Sequence, residues 1–177
     1  HIPGMRSVLA LQEGVATGAA DGYYRMTGKP ASTLLHLGPG LANGVSNLHN
    51  AKKAGSGVVN IVGEHASTHI ALDAPLTSDI EGIARPVSHW VRTTTRAATV
   101  GKDAAEAVQA AMVTPGQIAT LILPSDTAWN EGGLPHSALE IAPPTSFDSD
   151  MLTQAATALD GPESLLLLGG NALSESN

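Results

Sequence analysis

The amino-acid sequence predicts an α/β fold: a doubly wound parallel sheet with helices on both faces, plus the start of a second α/β domain. Three observations predict it. Short apolar runs recur at Ser7–Leu11, Ser32–Leu37, Val58–Val62 and Gln117–Leu123, each closely flanked by Gly or Pro. Ala-rich stretches of helical length separate them. The runs are continuously apolar, which marks strands buried on both faces and joined by right-handed helical crossovers.

Taken in order, Ser7–Leu11 reads as a buried strand. Glu13–Met26 reads as a helix that Gly28-Lys29-Pro30 stops. Ser32–Leu37 is a second strand, ended by a Gly38-Pro39-Gly40 turn. Leu41–Ala54 is a helix, and Val58–Val62 a strand closed by a turn at Gly63. Glu64–Arg85 is irregular apart from a short helix near Asp79–Ala84. Ser88–Thr93 reads as an edge strand, Lys102–Met112 as a helix and Gln117–Leu123 as a strand ending at Pro124. Composition then shifts to Gly132-Gly133, Pro135 and Pro143-Pro144, so residues 131–147 read as a linker between a domain over 1–130 and a second one over 148–177. In the second, Asp148 is placed to cap a helix to Leu159, and Ser164–Leu168 reads as a strand before Gly169-Gly170.

The composition narrows the function classes. Hydrophobic residues make up 42% and charged residues 14%, so the chain can bury a core and leaves surface for a partner to cover. A net charge of −7 without a Lys/Arg cluster argues against nucleic acid and anionic membranes. No cysteine is present, which excludes disulfides, thiolate zinc sites and cysteine nucleophiles. No apolar run approaches the ~20 residues of a membrane helix, and no signal peptide is visible; a cytoplasmic location is the expectation.

Ligands of open α/β sheets bind beyond the carboxyl ends of the strands. Three segments put unusual residues there: Gln12-Glu13-Gly14, His36 through Asn43, and Gly63-Glu64-His65. Glu13 opens a helix rich in small residues. It is either a first-turn glutamate favoured by the helix dipole or a partly desolvated proton donor and acceptor. Gly38-Pro39-Gly40-Leu41-Ala42-Asn43 copies two glycines of a dinucleotide loop, but Asn43 replaces the third. It reads equally as a plain tight turn, or as a turn approaching a flat heterocycle with Asn43 as a polar clamp. His36 is a core histidine or a catalyst. His65 and His69 could pair on a metal if helical. Trp90 and Trp129 read as packing anchors.

Taken together, Leu11-Gln12-Glu13-Gly14, Ala20-Asp21-Gly22-Tyr23-Tyr24-Arg25, Thr27-Gly28-Lys29-Pro30, Gly38-Pro39-Gly40 with Asn43, and Val59–Gly63 resemble the pyrimidine-binding domain of thiamine-diphosphate-dependent enzymes of the acetolactate synthase and benzoylformate decarboxylase group. The resemblance covers roughly residues 5–130. It implies that Glu13 bonds N1′ of the cofactor's aminopyrimidine and controls its proton, and that Gly38, Pro39, Gly40 and Asn43 line that ring. It implies decarboxylation of a 2-oxo acid, followed by carboligation as in acetolactate synthase or by protonation as in benzoylformate decarboxylase. His36 stands where the decarboxylases carry an active-site histidine, while the Gly-Pro-Gly segment is typical of the synthases. Glu64 replaces a glutamine common to both.

The resemblance also implies a homodimer or homotetramer, with diphosphate and Mg2+ held by another domain through a Gly-Asp-Gly sequence that this chain lacks. No metal ligand is therefore expected here. The family's opening strand–helix unit is expected to be missing, and this chain alone is expected to be inactive. A non-catalytic binding or assembly domain is the alternative of another class.

Overall fold

The computed structural model describes residues 4–141, 143 and 146–168. They fall in two units, His1–Ile141 and Ala142–Asn177. In the first unit the helices are α1 (Glu13–Thr27), α2 (Leu37–Ala54), α3 (Ile80–Ala84), α4 (Val100–Ala111) and α5 (Ser125–Trp129). The strands are β1 (Ala31–His36), β2 (Val58–Glu64), β3 (Trp90–Thr93) and β4 (Ile118–Pro124). The second unit contributes α6 (Ser149–Leu159), with the Asp148 side chain accepting from the Asp150 amide as its cap.

The four strands form one parallel sheet in the order β1-β2-β4-β3. This order explains the two helical layers. Steps from β1 to β2 and from β2 to β3 run one way across the sheet, and the step from β3 back to β4 runs the other. Right-handed crossovers of opposite direction land on opposite faces. Accordingly α1, α2 and α3 pack on one face with Leu35, Val58, Val62, Ile118 and Ile122. Ala107 and Ala111 of α4 pack on the other, against Val59, Ala119 and Leu121. Leu41 and Leu48 of α2 are completely buried, each contributing about 1.5–3 kcal/mol.

A polar row crosses the first face. Thr33 and Thr120 stand in register on either side of Asn60. Thr33 donates to Asn60 Oδ1 at 2.8 Å, Asn60 Nδ2 donates to Thr120 Oγ1 at 3.1 Å, and Ser88 and Thr120 share a bond of 2.7 Å. All four residues are buried, and every pairing is satisfied within the row, so their burial carries no orphan penalty.

The structure corrects five sequence expectations. Ser7–Leu11 is not a strand. It pairs with no strand among the described residues, and Leu11 is 96% exposed; an apolar run becomes a strand only where a ladder accepts it. Ser164–Leu168 likewise forms no strand, and Gly169–Asn171 lie outside the described residues. Gly38-Pro39-Gly40 is not a turn between strand and helix, because α2 already begins at Leu37. Pro39 is tolerated there because first-turn amides have no intrahelical acceptor to lose. β2 runs on through Gly63 to Glu64 instead of turning at Gly63. Trp129 is no packing anchor: it is 86% exposed at the end of α5, a five-residue helix too short to show a period in the sequence. Trp90 is half-buried against the α4 layer, with the Arg92 guanidinium 5.0 Å from its ring centre.

Candidate functional site

The carboxyl ends of β1 and β2 and the amino ends of α1 and α2 meet at one edge of the sheet. Gln12 starts α1. Its side-chain oxygen accepts from the Val15 amide at 3.1 Å, so the residue before Glu13 is a cap. Gly14 leaves room for that cap, since a Cβ there would lie 2.7 Å from Gln12 Oε1. Glu13 is thereby held in the first helical turn, half-buried, where the helix dipole favours its charge.

The second arm is the junction of β1 and α2. His36 is the last residue of β1, in register with Gly63, and its side chain is exposed. Leu37 makes the whole change from strand to helix, with φ of 57° in the left-handed region, and its side chain is buried. A leucine adopts this conformation only when its surroundings enforce it, and such strain gathers at ligand sites. The abrupt switch brings Gly38 and Gly40 into the first turn of α2, both buried. Gly38 packs on the Ser78 side chain, so the segment before α3 closes one side of this turn.

Gly40 faces Glu13. A Cβ on Gly40 would lie 3.8 Å from Glu13 Oε1, 3.5 Å from His36 Cβ and 3.4 Å from the Leu35 carbonyl carbon. The missing side chain leaves a shallow slot bounded by a carboxyl oxygen and a histidine stem. The other carboxyl oxygen is engaged: Asn43, one turn further along α2, donates its Nδ2 to Glu13 Oε2 at 3.2 Å. The structure therefore brings Glu13, His36, Gly40 and Asn43 together. Gly38 lies beside them against Ser78, and Pro39 is on the exposed side of the turn. A carboxyl group next to a slot without side-chain atoms can meet a flat polar ring and exchange a proton with it.

The α1–α2 contact holds these groups. Thr17 donates to the Gly44 carbonyl at 3.1 Å, and Asn47 Nδ2 donates to the Gly14 carbonyl at 2.7 Å. Sequence reasoning passed over Gln12 as a cap, Leu37, Asn47 and Ser78. A cap preference could have found Gln12 only weakly, and no spacing rule predicts a strained leucine or a partner forty residues away.

Further along the same edge, Glu64 Oε1 accepts from the His65 amide at 2.7 Å. His65 and His69 come within 5.5 Å, ring centre to ring centre, and His65 Nε2 is buried without a partner. No group of three or more potential metal ligands occurs among the described residues. Ser67 donates from its amide and its hydroxyl to Asp126, at 2.9 and 2.6 Å. These bonds hold the Asp126 carboxyl below the usual carboxylate range and tie the loop after β2 to α5.

The Asp21–Arg25 string belongs to the other end of the sheet. Asp21 accepts from Ser56 at 2.5 Å and pairs with Arg25 at 2.9 Å, and the Tyr24 hydroxyl donates to the Pro115 carbonyl at 2.6 Å. These bonds fasten α1 to the loops entering β2 and β4, so this string serves the fold and not the slot.

Residues 1–83 match the family model of the thiamine pyrophosphate enzyme N-terminal TPP binding domain. IlvX of Mycobacterium tuberculosis, named for an assumed role as an acetolactate synthase large subunit, is 51% identical over 172 residues, covering 97% of this chain and 33% of that protein. Benzoylformate decarboxylase of Pseudomonas aeruginosa is 31% identical over 122 residues, covering 68% of this chain and 23% of that enzyme. The solved structure of a thiamine diphosphate-dependent 4-hydroxybenzoylformate decarboxylase from Rhodococcus jostii RHA1 superposes with a TM-score of 0.77 at 26% identity, over 89% of this chain and 31% of that one. The chain thus spans a third or less of the length of these relatives. Residues 1–83 are thus identified as matching the N-terminal TPP binding domain of thiamine pyrophosphate enzymes, in agreement with the parallel four-stranded fold.

Proposed function

We propose that the protein binds the aminopyrimidine end of thiamine diphosphate at the Glu13–Gly40 slot and serves decarboxylation of a 2-oxo acid with carboligation, as an acetolactate synthase-like enzyme. The observation that carries this is the half-buried Glu13 carboxyl, with Oε1 3.8 Å from the position a Gly40 Cβ would take. The residues fit the group: a planar ring needs a side-chain-free approach, and its ring nitrogen needs a carboxyl partner. Gly40 keeps the approach open, Gly38 lets the turn pack on Ser78, Pro39 stiffens it, and Glu13 holds or releases the proton. The bound cofactor supplies the electron sink for decarboxylation; this chain supplies orientation and proton control.

The diphosphate and Mg2+ are assigned to a further domain of the functional assembly. The family's Gly-Asp-Gly sequence for them does not occur in this chain. A homodimer or homotetramer follows as part of the same proposal, because a neighbouring subunit is the natural source of that domain. No helix of the described residues is long and apolar enough to cross a membrane, and a cytoplasmic setting is part of the proposal.

A second reading is non-oxidative decarboxylation of the benzoylformate decarboxylase kind. It is favoured by His36, whose Cβ stands 3.5 Å from the same Gly40 position, and a histidine there could protonate a product in place of a second 2-oxo acid. Two measurements on the full-length protein test both. Replacing Glu13 with Gln keeps the shape and removes the proton; thiamine-diphosphate-dependent release of CO2 from pyruvate or benzoylformate is expected to fall roughly 10²- to 10⁴-fold. Turnover at the unmodified rate would remove Glu13 from the mechanism. Product analysis separates the readings: acetolactate from pyruvate supports carboligation, and benzaldehyde from benzoylformate supports simple decarboxylation.

A further inference from the structure

The two oxygens of Glu13 are not equivalent. Oε2 is taken by the Asn43 amide at 3.2 Å, whereas Oε1 faces the slot left by Gly40. An ionised carboxylate can only accept, so Asn43 must turn its NH2 group toward it. While that bond is made, a proton arriving on Oε2 would confront the amide hydrogens, so protonation is directed to Oε1. We infer that Asn43 is a positioning residue that fixes Oε1 as the oxygen through which Glu13 passes its proton. Its side chain then acts on Glu13 instead of clamping the ligand ring directly. This rests on the reading of Glu13 as the proton partner of the cofactor ring, and it adds which atom does the work and which residue selects it.

Asn47 provides an internal control. It stands one turn beyond Asn43 on the same face of α2 and makes a bond of the same kind, but to the Gly14 carbonyl of α1 and not to Glu13. A purely structural tie between the two helices would be lost by Asn47→Ala as much as by Asn43→Ala. A proton-positioning role would be lost only by the second.

The test is a double-mutant cycle of Glu13→Gln and Asn43→Ala in the full-length protein, read by thiamine diphosphate affinity and by kcat with a saturating 2-oxo acid. A second measurement needs no turnover: the side-chain amide proton shifts of Asn43 in the cofactor-free protein. Asn43→Ala is expected to lower kcat by roughly tenfold, about the worth of one hydrogen bond to a charged group. In the Glu13→Gln background the same change is expected to have less than about a twofold effect, because interacting residues are not additive. Asn43→Asp is expected to be worse than Asn43→Ala despite matching Asn in shape, since it replaces the donor with a second acceptor. The bonded Asn43 amide proton is expected to move upfield in Glu13→Ala and stay in place in Asn47→Ala.

Additive losses in the cycle, or Asn43→Asp behaving like the unmodified protein, would overturn the inference while leaving Glu13 in its role. Glu13→Gln with unchanged affinity and turnover would instead overturn the functional reading itself.

Discussion

At the scale of single residues, Gly40 gives the sharpest separation of fold from function. It lies inside a helix, where alanine is favoured over glycine by about 1 kcal/mol. The three atoms that a new Cβ would meet are 3.4, 3.5 and 3.8 Å away, which is ordinary contact. Gly40→Ala should therefore fold at least as well as the unmodified chain, with its melting temperature unchanged or raised by about 2–4 °C. The added methyl occupies the slot beside Glu13 Oε1. Affinity for thiamine diphosphate should fall about tenfold or more, from the roughly 1–3 kcal/mol that crowding a fitted contact costs. Calorimetry and a cofactor titration on the same sample decide it. A variant that is stable and binds normally would show that the ligand does not enter between Gly40 and Glu13. Leu37 makes the complementary point: its buried side chain and positive φ show the surroundings enforcing a backbone shape that no leucine prefers, so that the helix opens on two glycines.

At the scale of elements, the site depends on how closely α1 and α2 approach. Gly44 is the narrowest point. A Cβ there would lie 2.8 Å from Thr17 Cγ2, a branched atom that cannot swing aside. Gly44→Ala is expected to cost about 1–3 kcal/mol in chemical denaturation, as crowding outweighs the gain in helix propensity. Thr17→Ser, added to it, removes the offending methyl but keeps the hydroxyl that donates to the Gly44 carbonyl, and should restore most of the loss. A double variant no more stable than Gly44→Ala would place the clash elsewhere. Contacts of this kind also mark the limit of what sequence patterns reveal. Periodicity and stop signals were enough to find α1, α2, α4 and all four strands of the sheet; the central β2 and β4 owe their continuous apolar runs to burial on both faces, whereas the edge strands β1 and β3 are covered less completely. The same rule misread Ser7–Leu11 and Ser164–Leu168, since apolar character does not say whether a ladder partner is at hand. Gly38-Pro39-Gly40 looked like a turn because those residues break helices from within, whereas a first turn tolerates them. Glu13, His36, Gly40 and Asn43 could be named from their positions at strand ends and from the family resemblance. The 3.2 Å bond joining Asn43 to Glu13 could not, because it depends on the rotation of two helices about their axes.

At the scale of the whole molecule, His89 links the layers. It lies between α3 and β3, and its Nδ1 accepts from the amide of Ile118, the first residue of β4, at 3.0 Å. Lys52, near the end of α2, donates to the neighbouring Pro86 carbonyl at 2.9 Å. Burial, and after it the charge of Lys52, hold the His89 imidazole below its ordinary value of 6.5. Both the bond and the burial need the neutral ring. The sign of the pH effect follows from proton counting. Below pH 6.5 the unfolded chain takes up a proton at His89 that the folded chain refuses, so the unfolded state binds more protons and stability decreases as the pH is lowered. The contribution of His89 is therefore complete above about pH 7.5 and lost as pH drops through 6.5 toward the lowered folded value. Asp21 adds a second window further down. Burial raises its pKa, but bonds from Arg25 and Ser56 and the Arg25 charge outweigh this and hold the carboxyl below its ordinary 3.8. Its contribution is present above that value and lost as pH falls beneath it. Urea denaturation from pH 8 to pH 3 should show a first decline near pH 6.5 that His89→Gln abolishes, since a glutamine can accept from Ile118 without titrating. A decline of the same size and position in His89→Gln would assign the neutral-range sensitivity to another group.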